Sequence, residues 1–325
     1  MTDSGKTINK DHHYNIYSKT FMDKIFVNVV AYRDPFLQYT IKDVLKKAKY
    51  PERVVFGVCW QYGEEEPKEL PFDKDQVKVL RVPAKQSKGA CWSRNLAYHL
   101  VTDEKYFWLI DSHMVVAQDW DEKLIKMYEQ VGYGRSIFSC AVSEYTPPYS
   151  QAKWYNEDNK VANSAASQFF GNILLQMFHV KDCTETPELN SFLTACNLFG
   201  PIQFIEEVPY DPDMFFLGEE ISLALRGFTK GWNHYTTNEN MAWHKHDRAY
   251  RVTYGDDHYD QAKLMDHSLI RLTSLCHRDG KIDLGIYDIG DVRSIEQYEQ
   301  YAGINFKEKT ISDRAKTGKV DTNYL

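Results

Sequence analysis

The stretch 106–110 is apolar and stops at Asp111, with His113 two residues further on. Side chains alternate along an extended strand, so Asp111 and His113 are expected to project from one side where a buried strand emerges. A carboxylate oxygen and an imidazole nitrogen so placed can hold a divalent cation, and this mixed donor pair suits Mn²⁺ better than Ca²⁺. A cation there would neutralise a diphosphate. The competing reading is a polar strand end with a capping aspartate.

The elements that would carry this pair follow an α/β pattern. From Lys24 onward, strand-like apolar runs alternate with amphipathic helical stretches, as in a mostly parallel sheet covered by helices. Residues 25–31 read as a first strand. Leu37, Ile41, Val44, Leu45 and Ala48 then fall at helical spacing, and Pro51 marks the exit. Residues 54–59 and 77–82 read as further strands, and 92–101 as a helix feeding the strand that ends at Asp111. The order is strand, helix, strand, strand, helix, strand. A helix over 120–128 and a strand over 137–142 follow.

Residues 147–168 are polar, centred on Asn156 to Lys160, and are expected to form a loop over one face of the domain. Residues 192–199 resume the core, and 220–230 read as a helix ended by Gly231. Beyond His258 the pattern is mainly helical to about Cys276, and the last 15 residues are expected to be a solvated tail. The division expected is a polar N-terminal segment over 1–23, a main α/β domain over 24–258, and a helical extension with its tail over 259–325.

Composition narrows the function classes. Hydrophobic residues make up 43% of the 325, enough for a substantial core, so disorder is expected only at the ends. A formal charge of −7 argues against nucleic acid or an anionic membrane as the main partner. No apolar run approaches the roughly 20 residues of a membrane span, and residues 1–10 lack the apolar core of a secretory signal, so the expected setting is intracellular. Cys59, Cys91, Cys140, Cys183, Cys196 and Cys276 have no C-x-x-C spacing, which fits reduced thiols. There is no P-loop and no G-x-G-x-x-G.

An ordered set of segments resembles the Skp1-type polypeptide N-acetylglucosaminyltransferases, a family similar to the polypeptide GalNAc-transferases. The set is Ile25-Phe-Val-Asn-Val-Val-Ala-Tyr-Arg-Asp34, Phe56-Gly-Val-Cys-Trp-Gln61, Gly89-Ala-Cys-Trp-Ser-Arg94, Ile110-Asp-Ser-His-Met114, Val208-Pro-Tyr-Asp-Pro212, Phe216-Leu-Gly-Glu-Glu-Ile-Ser-Leu-Ala-Leu-Arg226 and Gly290-Asp-Val-Arg-Ser294. The resemblance implies a GT-A fold and a cytoplasmic enzyme that uses UDP-GlcNAc and modifies hydroxyproline or another protein hydroxyl, with retention of configuration. It implies Mn²⁺ (or Mg²⁺) on an Asp-x-His motif, here Asp111 and His113 with Ser112 between them, and a third ligand from a downstream histidine. Trp243-His-Lys-His-Asp-Arg248 offers His244 and His246; His244, with Arg248 four residues on, matches the family's H-x-x-x-R.

By the same resemblance the backbone around Ala31 and the side chains of Tyr32, Arg33 and Asp34 receive the uridine. The Arg94 guanidinium suits a phosphate or a carboxylate, and the Trp243 ring offers a stacking surface for the sugar or acceptor. Arg33 also fits a surface pair with Asp34 or Asp43, Arg94 an ion pair with Asp111, and Trp243 a core position. Glu219 and Glu220 open a helix, where acids complement the dipole. The resemblance puts them in the sugar pocket, Glu219 accepting from donor-sugar hydroxyls and Glu220 turned towards the helix or the acceptor, with Arg248 stabilising the departing UDP. A surface saccharide is the alternative acceptor, and a non-catalytic scaffold that binds a sugar nucleotide is the alternative of a different class.

Overall fold

In the computed structural model, which describes residues 22–146, 150–151 and 160–325, β1 (Ile25–Tyr32) is buried on both faces. Ile25, Val27, Val29 and Ala31 join one apolar cluster with Leu37, Ile41 and Val44 of α1 (Leu37–Lys47), whereas Phe26 joins a second cluster across the sheet. β2 (Val54–Tyr62) and β3 (Val77–Pro83) extend the sheet in parallel on one side of β1. After α2 (Ala90–Tyr98) the chain returns to lay β4 (Tyr106–Asp111) parallel to β1 on the other side. Here too Tyr106, Trp108 and Ile110 enter the first cluster, and Phe107 and Leu109 the second. Near-continuous apolar runs are what strands covered on both faces require.

Past Asp111 a turn leads to β5 (Met114–Val116) and α3 (Trp120–Gln130), whose Trp120 stacks on Trp108 with centroids 4.4 Å apart. β6 (Ser136–Ser139), β7 (Ser143–Thr146) and β8 (Ser150–Gln151) follow, then a hairpin of β9 (Lys160–Phe170) and β10 (Ile173–Asp182). β11 (Glu188–Leu189), β12 (Asn197–Pro201), α4 (Gln203–Glu207), α5 (Glu219–Thr229), β13 (Asn233–Thr236) and β14 (Ala242–His244) complete the strands used below. The main sheet runs β11-β13-β6-β12-β4-β1-β2-β3 and is mixed, because β12 lies antiparallel to both β4 and β6. A smaller sheet, β5-β14-β7-β8, stands at the end of β4. α6 (Tyr254–Asp257), α7 (Gln261–His277) and α8 (Ile295–Ala302) follow, with Leu272, Leu275, Tyr298 and Tyr301 in the same cluster as Phe26 and Phe107.

The α/β fold with helices on its sheet is as the sequence pattern implies, including the order β1, α1, β2, β3, α2, β4. Two expectations are corrected. The loop expected over 147–168 is a strand from Lys160 onward, β9, paired along its length with β10; its former centre, Asn156 to Asn159, lies outside the described residues, as does 1–21. β9 escapes a pattern search because its buried positions include Asn163 and Ser164. The tail is not solvated throughout: Ala315 is fully buried, and Asn163 Nδ2 donates to Thr317 O at 2.9 Å. No helix among the described residues is long and apolar enough to cross a membrane, and none of the six cysteines is in a disulfide.

Candidate active site

Asp111 ends β4, and His113 sits in the turn before β5 rather than further along the same strand. The turn still brings the two together. β14 pairs antiparallel with β5, placing His244 opposite Met114 and its imidazole against the turn. His113 Nε2 lies 2.9 Å from His244 Nε2, which is 3.1 Å from Asp111 Oδ2, and one ligating atom from each residue fits within 4.8 Å of the others. Neighbouring ligands of an octahedral ion with bonds of about 2.1 Å stand about 3.0 Å apart, so the three atoms are spaced for a shared cation. Burial pushes the His244 imidazole down to about 4, which keeps its lone pair free at neutral pH. Burial opposes the charge on Asp111, but the His244 contact and Arg94 hold its carboxyl well below the usual range. His246 is exposed on the cavity wall, its ring 4.4 Å from that of His244. His244→Ala is therefore expected to weaken Mn²⁺-dependent UDP binding by about 100-fold or more, and His246→Ala by under about three-fold; titration calorimetry of both variants checks the order.

The Asp34 carboxylate is turned to this cluster. It is buried, with Oδ2 2.6 Å from His113 Nδ1 and 2.7 Å from the Ser112 hydroxyl that donates to it. Accepting the Nδ1 proton leaves His113 Nε2 as the free donor and fixes the ring, as a carboxylate behind a ligating histidine does. Despite burial, His113 and Ser112 keep Asp34 below the usual carboxylate range. Asp34→Asn should lower Mn²⁺ affinity about 10- to 100-fold with the fold retained, read by electron paramagnetic resonance of free Mn²⁺.

A second network surrounds Arg94. Gly89, at φ +106°, opens α2; a Cβ there would meet the Phe215 ring at 2.4 Å. Five residues on, the buried Arg94 donates from Nη1 to both Glu219 oxygens at 2.8 Å and from Nη2 to Asp111 Oδ1 at 3.1 Å. Cys91 Sγ donates to Glu219 Oε2 at 2.8 Å. Glu219 thus neutralises Arg94, which in turn braces Asp111. Glu220, half-buried, accepts from the Ala195 N–H at 2.8 Å and from Gln176 Nε2 at 2.9 Å. Burial, reinforced by Glu219, pushes its carboxyl up to about 7.

These groups wall a cavity of about 530 Å³ lined by Tyr32, Arg94, Asp111, Ser112, His113, Glu219, Glu220, His244 and Arg248 among others. Three side chains expected there are placed elsewhere. The Ala31 side chain is buried in the apolar cluster, which leaves only its backbone, the part expected to meet the uridine, to face outward from the strand end. Arg33 pairs with Asp257 and Glu65, each at 2.8 Å, and with Asp34 lines a separate cavity of about 420 Å³. Trp243 packs against the apolar cluster, since the residue before His244 on a strand faces the other way. Arg251, Tyr254, Gln61 and Ser87, which the sequence reading passed over, line the main cavity instead. Arg251 Nη1 donates to Tyr32 O at 2.9 Å, and the Ser87 hydroxyl donates to Gln61 Oε1. Two signals were available: the apolar run of β2 breaks at Gln61, which stands opposite Tyr32 at the end of β1, and Thr253-Tyr-Gly-Asp256 has capping-box spacing, which α6 realises.

Residues 24–71 and 63–308 match the family model described as glycosyltransferase (GlcNAc). No curated protein matches by sequence. Among solved structures, GalNAc-T7 with UDP, GalNAc and Mn²⁺ is similar at a TM-score of 0.58 and 14% identity, over 89% of this chain and 57% of that one. The chain thus spans little more than half the length of that neighbour. Residues 1–349 of S. aureus TarS give a TM-score of 0.46 at 9% identity, over 80% of this chain and 76% of that one.

Proposed function

Because the chain belongs to the glycosyltransferase (GlcNAc) family and has the GT-A fold, we propose that it moves GlcNAc from UDP-GlcNAc to a polypeptide hydroxyl, hydroxyproline in the first place, as a cytoplasmic Skp1-type enzyme that retains configuration. The observation that carries the reading is the cluster of Asp111, His113 and His244 on the wall of the main cavity, with ligating atoms spaced for one cation. Those three residues would hold Mn²⁺ or Mg²⁺. Bound there, the ion supplies Lewis-acid neutralisation of the donor diphosphate. GalNAc-T7, of the same fold, was crystallised with UDP and Mn²⁺, which supports the assignment.

The chain's own residues divide the remaining work. Tyr32, Gln61, Ser87 and Tyr254 line the part of the cavity beside the ends of β1 and β2, where an α/β sheet receives a nucleotide. Arg248, exposed on the wall, is assigned to the departing UDP, where charge develops as the bond from C1 to the phosphate oxygen breaks. Arg94 holds Asp111 in place, and Glu219 holds Arg94. In retention the acceptor oxygen bonds to C1 from the leaving-group side, and its proton passes to the departing phosphate oxygen.

One observation favours a second course. Glu220 lines the cavity with a carboxyl raised to about 7 and, among the described residues, no cation in an ion pair with it, as a general base requires. It would take the acceptor proton with inversion at C1, and transfer would then speed up as pH rises through about 7, where Glu220 ionises. Titrating UDP into the protein with Mn²⁺ and with EDTA tests the main reading, which needs binding in the first and little in the second. The anomeric coupling of the product by ¹H NMR decides between the two courses.

A further inference from the structure

We propose that the free edge of β10, with Phe216 and Leu217 ahead of α5, is a docking surface for an extended, apolar segment of the acceptor; this rests on the reading of the chain as a transferase to a polypeptide hydroxyl. Among the described residues β10 pairs with β9 alone, so no strand satisfies the backbone groups along its other side. Large apolar side chains are exposed on these two segments: Met177 44%, Phe178 40%, Val180 43%, Phe216 41% and Leu217 38%. Apolar surface concentrated in this way marks a contact region.

The surface is continuous with the cavity. Gln176, Phe178 and Val180 share one face of β10, since residues two apart on a strand do. Gln176 holds the Glu220 carboxylate at 2.9 Å, Phe178 and Phe216 line the cavity wall, and Val180 carries the same face beyond it. The same cavity has a polar and charged lining as well, from Asp111, His113, His244, Arg248 and Arg251. A donor diphosphate belongs at the Asp111, His113 and His244 cluster, which leaves the apolar lining for the approach of the acceptor. Val180 and Leu217, which carry the patch beyond the cavity wall, are aliphatic and offer no hydrogen bond to saccharide hydroxyls. A strand edge with apolar side chains beside it suits an extended peptide, which bonds through its main chain and seats alternate side chains.

The test uses the full chain with Mn²⁺, UDP-GlcNAc and nine-residue peptides centred on hydroxyproline, serine or threonine, flanked by Val, Leu and Phe or by Asp, Ser and Asn. Apolar-flanked peptides should raise UDP release above the acceptor-free rate, and N-methylation at alternate flanking residues should abolish the increment. The variant V180D/L217D, changed at two exposed positions outside the cavity wall, should lower peptide-dependent kcat/KM about ten-fold or more, chiefly through KM. Its acceptor-free hydrolysis and UDP affinity should stay within about two-fold of the parent. Peptide use by the variant equal to the parent's, indifference to flanking chemistry, or light scattering that shows the substitutions only dissolving a dimer would each overturn the proposal. A parent protein that releases UDP from no donor, with or without peptide, would overturn the transferase reading and this surface with it.

Discussion

Asp111→Asn is expected to abolish Mn²⁺-dependent UDP-sugar hydrolysis, with a fall of about 1000-fold or more, while the protein stays folded. The substitution removes the one carboxylate from a cluster whose other two members are imidazoles, and metal stabilisation of a leaving group is worth several kcal/mol. The fold should survive because Arg94, which loses its bond to Asp111, keeps both bonds to Glu219. Hydrolysis at the parent rate in a folded variant would remove Asp111 from the metal site.

The second large effect concerns the buried pair behind Asp111. Glu219→Gln leaves a buried guanidinium with Asp111 as its one carboxylate partner among the described residues, and breaking a buried pair from one side costs about 3–5 kcal/mol. Denaturant unfolding should show a loss of that order. Turnover should fall about 30- to 200-fold, as for loss of one charged hydrogen bond worth about 2–3 kcal/mol in the transition state. UDP affinity should change little, since Glu219 lies behind Arg94. The double variant Arg94→Met/Glu219→Leu should regain much of the stability, because no lone charge is then buried, yet not the turnover. Equal loss of UDP affinity in Glu219→Gln would instead place Glu219 at the nucleotide.

Much of this architecture is legible in the chain. β1 and β4 announce themselves because burial on both faces demands unbroken apolar runs, and the abrupt end of β4 at Asp111 marks the sheet edge where the site opens. The hairpin of β9 and β10 is not legible, since Asn163 and Ser164 are buried in β9 while Met177, Phe178 and Val180 of β10 are exposed, the reverse of a core pattern. Neither is the role of Asp34, whose partner His113 is 79 residues away, nor the Arg94–Glu219 pair, separated by 125. Motif position places such residues near a ligand. Only the folded chain shows Asp34 turned to a histidine and Glu219 turned to an arginine. Trp243 illustrates a finer limit: one residue from His244, it takes the opposite face of a three-residue strand.

The central claim, a metal-dependent transferase that uses a UDP-sugar, is tested most directly by UDP release from a panel of UDP-sugars, each measured with Mn²⁺ and with EDTA. Turnover of UDP-GlcNAc above the other donors, lost in EDTA and restored by Mn²⁺, is the expected result. Release unaffected by EDTA would contradict the metal assignment to Asp111, His113 and His244, and UDP binding without turnover of any donor would make the protein a sugar-nucleotide-binding scaffold.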